Sequence, residues 1–372
     1  MIKAIFVYAP FAMFALLMAT YVVMATEGVR HRARLQAVIG MLLLLCCSKF
    51  LCFRAFGGDA FAPTLPDWLI WVWDWAYSGA CILAALTVMS IICRLKRRWA
   101  RTRAVAFPVL AWGLSAWGVW NGIRPPEIRQ LTLEYENLPP ALDGYRIVQL
   151  SDIHVSSSLR RWRTEAIVGM VNRLDADLVC LTGDYADGYP RDLRRDLEPI
   201  AGLKSRDGVY AVTGNHEYYY PWNEWSYWFA RWGIEILSDR VVTPRDGLTI
   251  VGIDDRAKYD RGFAPQPPLK VQDLLARAEG APFTLFLMHR PVYAGIASRA
   301  GANLQLSGHT HGGIMPVLRL IIGSFNGWRT RGLYEEGPRS WLYVSPGCGQ
   351  WAGFPIRFFN PSEITHITLR RK

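Results

Sequence analysis

Hydrophobic and polar positions divide the chain into two regions of different periodicity. Up to about residue 122, apolar residues run in long blocks separated by short basic stretches. Residues 4–25 carry no charge, and about 20 apolar residues are enough to span a bilayer. A second block covers 36–53, broken only by Lys49, whose long stem lets it snorkel or face other helices. The third covers 70–93 and contains Asp74; the fourth covers 104–122, with Pro108 near its start. A cleaved signal peptide would have a shorter apolar core behind a basic start. The pattern therefore predicts a transmembrane region over residues 1–122 with four spans, at about 4–25, 36–53, 70–93 and 104–122.

Charge sets the orientation. Residues 1–123 hold 12 Lys/Arg against 4 Asp/Glu, and the remainder holds 30 against 27, so most of the net +11 sits in the apolar third. Arg30, Arg32 and Arg34 fill the first loop, and Arg94, Lys96, Arg97, Arg98, Arg101 and Arg103 fill the third. Basic loops stay on the cytoplasmic side, which puts the N-terminus outside and returns the chain outside after four crossings. The expectation is a multi-pass inner-membrane protein whose larger part is extracytoplasmic, or periplasmic. A small positive excess beyond residue 123 argues against a nucleic-acid groove. Of seven cysteines, five lie in the apolar third and none forms a CxxC pair, so neither a thiolate zinc site nor a disulfide framework is indicated.

Residues 123–144, with Pro125 and Pro126, read as a stiff linker and lead-in strand; its first eight residues reach at most roughly 28 Å. From 145 to 372 short apolar runs alternate with amphipathic stretches. Arg146–Leu150, Leu178–Thr182, Val209–Thr213, Leu248–Gly252, Thr284–Met288 and Asn303–Leu306 have the look of buried strands. Arg161–Leu174, Asp192–Leu203, Trp222–Trp232 and Val271–Ala278 have helical spacing. The alternation predicts an α/β layered sheet. A closing group at Arg331–Tyr334, Trp341–Val344 and Thr365–Leu369 is expected to form a second sheet against the first.

Five of these strands run into chemistry. Leu150 precedes Ser151-Asp152-Ile153-His154, and Thr182 precedes Gly183-Asp184-Tyr185-Ala186-Asp187. Thr213 precedes Gly214-Asn215-His216-Glu217, Met288 precedes His289, and Leu306 precedes Ser307-Gly308-His309-Thr310-His311. Carboxyl ends of strands in layered α/β folds converge on one rim, where ligands bind. A set of carboxylate, amide and imidazole groups without thiolate suits hard and borderline divalent cations. A lone strand-end histidine is usually just a satisfied polar residue, and a lone Gly-Asp pair just a turn; five such turns in fixed order point to metal instead.

The ordered blocks Asp152-x-His154, Gly183-Asp184-x-x-Asp187, Gly214-Asn215-His216-Glu217, His289 and Gly308-His309-Thr310-His311 resemble the calcineurin-like metallophosphoesterase superfamily. Within it, the chain resembles the membrane-anchored bacterial branch that includes UDP-2,3-diacylglucosamine pyrophosphatase-like phosphodiesterases. The resemblance implies a four-layer αββα sandwich and a hydrolase with two divalent metal ions, from among manganese, iron, zinc and magnesium. It implies that Asp152, His154 and His311 hold one ion, that Asn215, His289 and His309 hold the other, and that Asp184 bridges them. Two such ions about 3.5–4 Å apart clamp a phosphate and generate the attacking hydroxide. His216 would contact the phosphate and protonate the leaving oxygen. Asp187 either orients a ligand histidine or caps its turn, and Glu217 is either an outer-shell acid or a solvated residue. Asp254 and Asp255, ending another strand, read as structural.

Two departures from the family pattern touch the substrate pocket rather than the ligands. Gly313 leads into the apolar Ile314–Ile322, and Ser345-Pro346-Gly347-Cys348-Gly349 stands where related chains often carry a basic residue. Trp222, Trp225, Phe229 and Trp232 form an aromatic stripe at helical spacing. Such a stripe is ordinarily core, yet with Ile314, Leu318 and Ile321 it also makes a candidate lipid contact beside the metals. The favoured substrate is an amphiphilic lipid-linked phosphodiester, pyrophosphate or phosphomonoester, with the bilayer as partner and no nucleic acid. A general phosphodiesterase or nuclease on soluble substrates, and a non-catalytic membrane sensor, remain as alternatives. Oligomeric state is left open.

Overall fold

Apolar runs of membrane length can satisfy their backbone polar groups only internally, and helices do this. The computed structural model describes residues 17–26, 32–93, 99–260 and 271–372. Met1–Gly122 with Ala352–Ile356 forms one unit, and Ile123–Trp351 with Arg357–Lys372 the other. In the first unit residues 17–25 are helical, followed by α1 (Arg32–Cys47), α2 (Lys49–Gly57), α3 (Asp67–Ile92) and α4 (Ala100–Ile123). Met18, Tyr21, Val22, Leu43, Leu83 and Ala111 pack in its interior. Its surface is apolar too, with Met41, Leu42, Leu45, Ile92, Val105 and Val109 exposed.

Among the described residues only α3 has by itself the length and hydropathy to cross a membrane; α1 and α2 reach that mark together, as a pair bent by 63°. The four expected spans are thus reduced to one or two. Residues 4–16 of the first lie outside the described residues, and α4 is less apolar than α3 because Arg101 and Arg103 fall within it. Lys49 does not snorkel. It and Asp74, both 1% exposed, form an ion pair at 2.6 Å, and Lys49 Nζ also donates to Ala352 O at 2.7 Å.

In the second unit the strands are β1 (Glu127–Tyr135), β2 (Arg146–Leu150), β3 (Leu178–Thr182), β4 (Val209–Val212), β5 (Glu235–Ile236), β6 (Arg240–Arg245), β7 (Leu248–Gly252), β8 (Thr284–Leu287), β9 (Leu304–Ser307), β10 (Gly332–Gly337), β11 (Ser340–Val344) and β12 (Glu363–Arg371). They form two six-stranded sheets, ordered β1-β12-β2-β3-β4-β5 and β10-β11-β9-β8-β7-β6. The closing group therefore does not make a sheet of its own. β10 and β11 extend the second sheet beside β9, whereas β12 enters the first, parallel to β1 and antiparallel to β2.

Side chains alternate across a strand, so each central strand feeds two layers. Ile147, Leu178 and Val212 of the first sheet meet Ile250, Leu285 and Leu306 of the second in one interior. The opposite residues Val148, Val179, Leu181 and Ala211 are also fully buried, as expected of parallel strands covered on both faces. Helices α5 (Arg161–Asn172) and α6 (Pro190–Leu197) connect β2, β3 and β4, and bury Ile167, Val171, Leu193 and Leu197. On the second sheet, Val251, Phe286 and Met288 pack with Leu274 and Leu275 of α8 (Val271–Ala276) and Ala297 of α9 (Ala294–Arg299), α7 being Trp222–Arg231. The last helix, α10 (Pro316–Phe325), follows the β9 turn. This α/β architecture brings the ends of β2, β3, β4, β8 and β9 together, because those strands are parallel neighbours within their sheets.

Candidate metal centre

Backbone hydrogen bonds tie the β2 turn to the β3 turn and the β9 turn to the β8 turn. Asp152 N–H donates to Gly183 O, His154 N–H to Asp184 O, and Gly308 N–H to His289 O, at 2.8–3.1 Å. Aiming the side chains from such tight turns requires left-handed backbone. Asp152, His154, Asp184, His309 and His311 have φ of 52°, 47°, 58°, 71° and 48°. Each such residue costs on the order of 1–3 kcal/mol and persists only where its surroundings impose it. Glycine is needed where these turns approach one another: a Cβ on Gly308 would land on Ser151 Oγ and Asp152 Oδ2, and one on Gly214 would land on Asp184 Oδ1.

Among the described residues three sets of groups converge: Asp152 with His154 and His311, His154 with Asp184 and His216, and Asp184 with His289 and His309. Within each set the ligand atoms lie within 4.8 Å of one another. Asp184 belongs to two sets, its Oδ2 lying 3.1 Å from His289 Nε2 and 3.7 Å from His154 Nε2. His154 and His311 bring their Nε2 atoms to 3.0 Å with rings stacked. Asn215 is buried and its Oδ1 makes no hydrogen bond. An acceptor left without a donor costs free energy, and a cation satisfies it. The donor set is oxygen and imidazole nitrogen throughout, and the residues fit two divalent ions.

Asp187 is placed to orient rather than merely to cap. Its Oδ1 is 3.0 Å from His154 Nδ1 and 2.6 Å from His216 Nδ1, so one carboxylate fixes both imidazoles. Burial alone would lower the His216 pKa, but the charges of Asp184 and Asp187 push it up to about 9. Glu217 is not solvated. It is buried and accepts the N–H groups of Asp184, Tyr185 and Gly214 at 2.9, 2.8 and 2.7 Å. Burial and the Asp184 charge push its carboxyl up to about 7, against the pull of those three donors.

The aromatic stripe divides. Trp225 and Phe229 are interior: Phe229 packs on Tyr185 with ring centroids 4.8 Å apart, and Trp225 Nε1 donates to Gly188 O at 3.0 Å. They buttress the β3 turn and are closed to lipid, as the ordinary core reading of such a stripe has it. Trp222 and Trp232 pack against Phe229 and are half-buried. Ile314 is buried and Leu318 half-buried, whereas Ile321 is exposed with Leu320, Phe325 and Trp328.

Three neighbours of the centre were missed in the sequence. Ser151 Oγ donates to Asp152 Oδ2 at 2.6 Å. Arg357, fully buried, donates through Nη2 to the carbonyls of Pro346 and Gly349 at 2.9 and 2.6 Å and lies 3.2 Å from His311 Nδ1. It brings a cation to the loop where sequence alone found none. Arg290 lies beside His309 and is held by Asp255; its position directly after His289 was the available signal.

The model of the calcineurin-like phosphoesterase family matches residues 145–313, which run from the start of β2 to the histidine turn after β9. A Danio rerio protein described as a transmembrane protein with metallophosphoesterase domain is 35% identical over 69% of this chain and 60% of its own length. A Bos taurus protein of the same description is 32% identical over 69% and 60%. An uncharacterized metallophosphoesterase of Helicobacter pylori is 32% identical over 68% of this chain and 67% of its own. The match thus spans about three-fifths of the two vertebrate relatives. With the two-sheet fold, the gathered ligand groups and these similarities, the chain belongs to the calcineurin-like phosphoesterase family.

Proposed function

We propose that the protein is a membrane-anchored, dinuclear metal-dependent hydrolase of phosphoric esters. The observation that carries this is the sharing of Asp184 between two clusters of ligand groups at strand ends. Asp152, His154 and His311 would hold one ion, Asn215, His289 and His309 the other, and Asp184 both. When bound, two divalent cations polarise the phosphoryl group and make a water nucleophilic at neutral pH. His216, its Nδ1 paired with Asp187, keeps Nε2 as the proton donor for the leaving oxygen. Manganese, iron, zinc and magnesium all suit this donor set.

The substrate in this reading is an amphiphilic phosphodiester, pyrophosphate or phosphomonoester, a class that includes UDP-diacylglucosamine-type lipids. Support comes from the exposed Leu320, Ile321, Phe325 and Trp328, on or just after the helix that follows His311. A water-exposed apolar group beside such a centre gains by entering lipid or holding acyl chains. Purified protein is expected to cleave an aryl phosphodiester with added manganese and to lose that activity with chelator. Ile321→Ser with Phe325→Ser should lower turnover of dispersed lipid phosphoesters roughly 10-fold and change aryl-ester turnover less than about twofold. Equal losses on both substrates would reject the lipid assignment.

Membrane anchoring draws support from α3, from the bent α1–α2 pair and from the description of the vertebrate relatives. An extracytoplasmic catalytic unit would require α4 to cross as well, since the basic stretches at 30–34 and 94–103 favour the cytoplasmic side. Protease added to intact spheroplasts should then remove the catalytic unit; protection until lysis would place it inside.

A further inference from the structure

Arg290 is tethered along one edge of its guanidinium. Nε donates to Asp255 Oδ2 at 2.7 Å and Nη2 to Asp255 Oδ1 at 3.2 Å. Asp255 is itself fixed: it is 1% exposed, its N–H donates to Thr213 Oγ1 at 3.1 Å, and its Oδ1 accepts from Ala257 N–H at 2.9 Å. A guanidinium carries five N–H groups in a planar fork, so a carboxylate that occupies one edge leaves the other free to bind. That other edge faces the centre, with Nη1 3.4 Å from His309 Nε2. The side chain is one-third exposed, so solvent and substrate reach it.

An imidazole that binds a cation gains nothing from a second cation beside it. A phosphoryl oxygen at the same place gains a charge-assisted hydrogen bond of defined direction. Resting on the phosphoesterase reading above, we propose that Arg290 is a substrate-binding residue: Nη1 takes a non-bridging oxygen of the substrate's phosphoryl group, and Asp255 holds the guanidinium ready for it. Preorganisation matters because a long side chain otherwise loses rotamer freedom when it binds. Lysine cannot substitute, since a single ammonium cannot both engage Asp255 with two donors and present a directed N–H to the phosphate.

The test uses the full-length protein carrying Arg290→Ala, Arg290→Lys or Asp255→Asn. Three quantities are measured: bound metal per chain, kcat and KM on an aryl phosphodiester, and the inhibition constant of inorganic phosphate. The expected result for Arg290→Ala is metal content as in the parent, with KM and the phosphate inhibition constant raised about 10- to 100-fold. Arg290→Lys should fail to restore either constant, and Asp255→Asn should shift both in the same direction by less. Unchanged phosphate inhibition in both Arg290 variants, or loss of metal from them, overturns the proposal; loss would make the arginine a support for His309 only. A parent protein that binds no metal or cleaves no ester would instead reject the phosphoesterase reading itself, so the two failures are separable.

Discussion

Asp184→Asn should lower kcat/KM for any phosphoester by roughly 10³-fold or more while leaving the protein folded. Asparagine keeps the shape of the side chain and an oxygen to accept the His216 N–H, which Asp184 Oδ1 accepts at 2.9 Å. What it removes is the negative charge of a carboxylate shared by two ligand clusters. Without that charge, two dications would be brought close together with nothing between them to offset their repulsion. Metal analysis should therefore show fewer ions per chain than in the parent, and circular dichroism should show no change. Full activity in this variant, with both ions retained, would remove the basis of the dinuclear mechanism.

Glu217→Ala should have the largest effect on stability, lowering it by about 3–6 kcal/mol. Three buried N–H groups, on Asp184, Tyr185 and Gly214, donate to this one carboxylate. Each buried donor left unpaired costs about 1–3 kcal/mol, and water entering the hole offsets part of the sum. That loss is large against the 5–15 kcal/mol typical of a whole domain. Thermal unfolding of the catalytic unit should move down by many degrees, and the β3 and β4 turns should exchange their amide protons faster. Glu217→Gln keeps an acceptor and should fall between the two. A melting temperature within two or three degrees of the parent for Glu217→Ala would show that these donors find other partners.

The candidate site was legible because its chemistry is local: each strand end announces its ligand within a few residues, and glycines mark where backbones approach. Strands β2, β3, β4, β7, β8 and β9 were legible for the same reason, since short apolar runs bounded by turns carry their own signal, whereas the short β5 and the half-exposed β6 carry no such run. Orientation of side chains was not. That Asp187 serves both His154 and His216, or that Glu217 ties two turns together, depends on groups 29–33 residues apart in sequence meeting in space. The aromatic stripe shows the limit from the other side. Its spacing gave a helix with one aromatic face, but spacing carries no statement of what that face meets, and Trp225 and Phe229 meet the β3 turn.

The amino-acid order by itself determined the division into an apolar helical third and an α/β remainder, and the identities and sequence of the metal-seeking groups. Both follow from short-range physics: hydropathy over one helix length, and donor chemistry at strand ends. Only the tertiary structure decided that β12 joins the first sheet between β1 and β2, that Lys49 pairs with Asp74, and that Arg290 turns its free edge toward His309. Those outcomes are settled by packing and electrostatic partners distant along the chain, and no window of sequence contains both halves of such a pair.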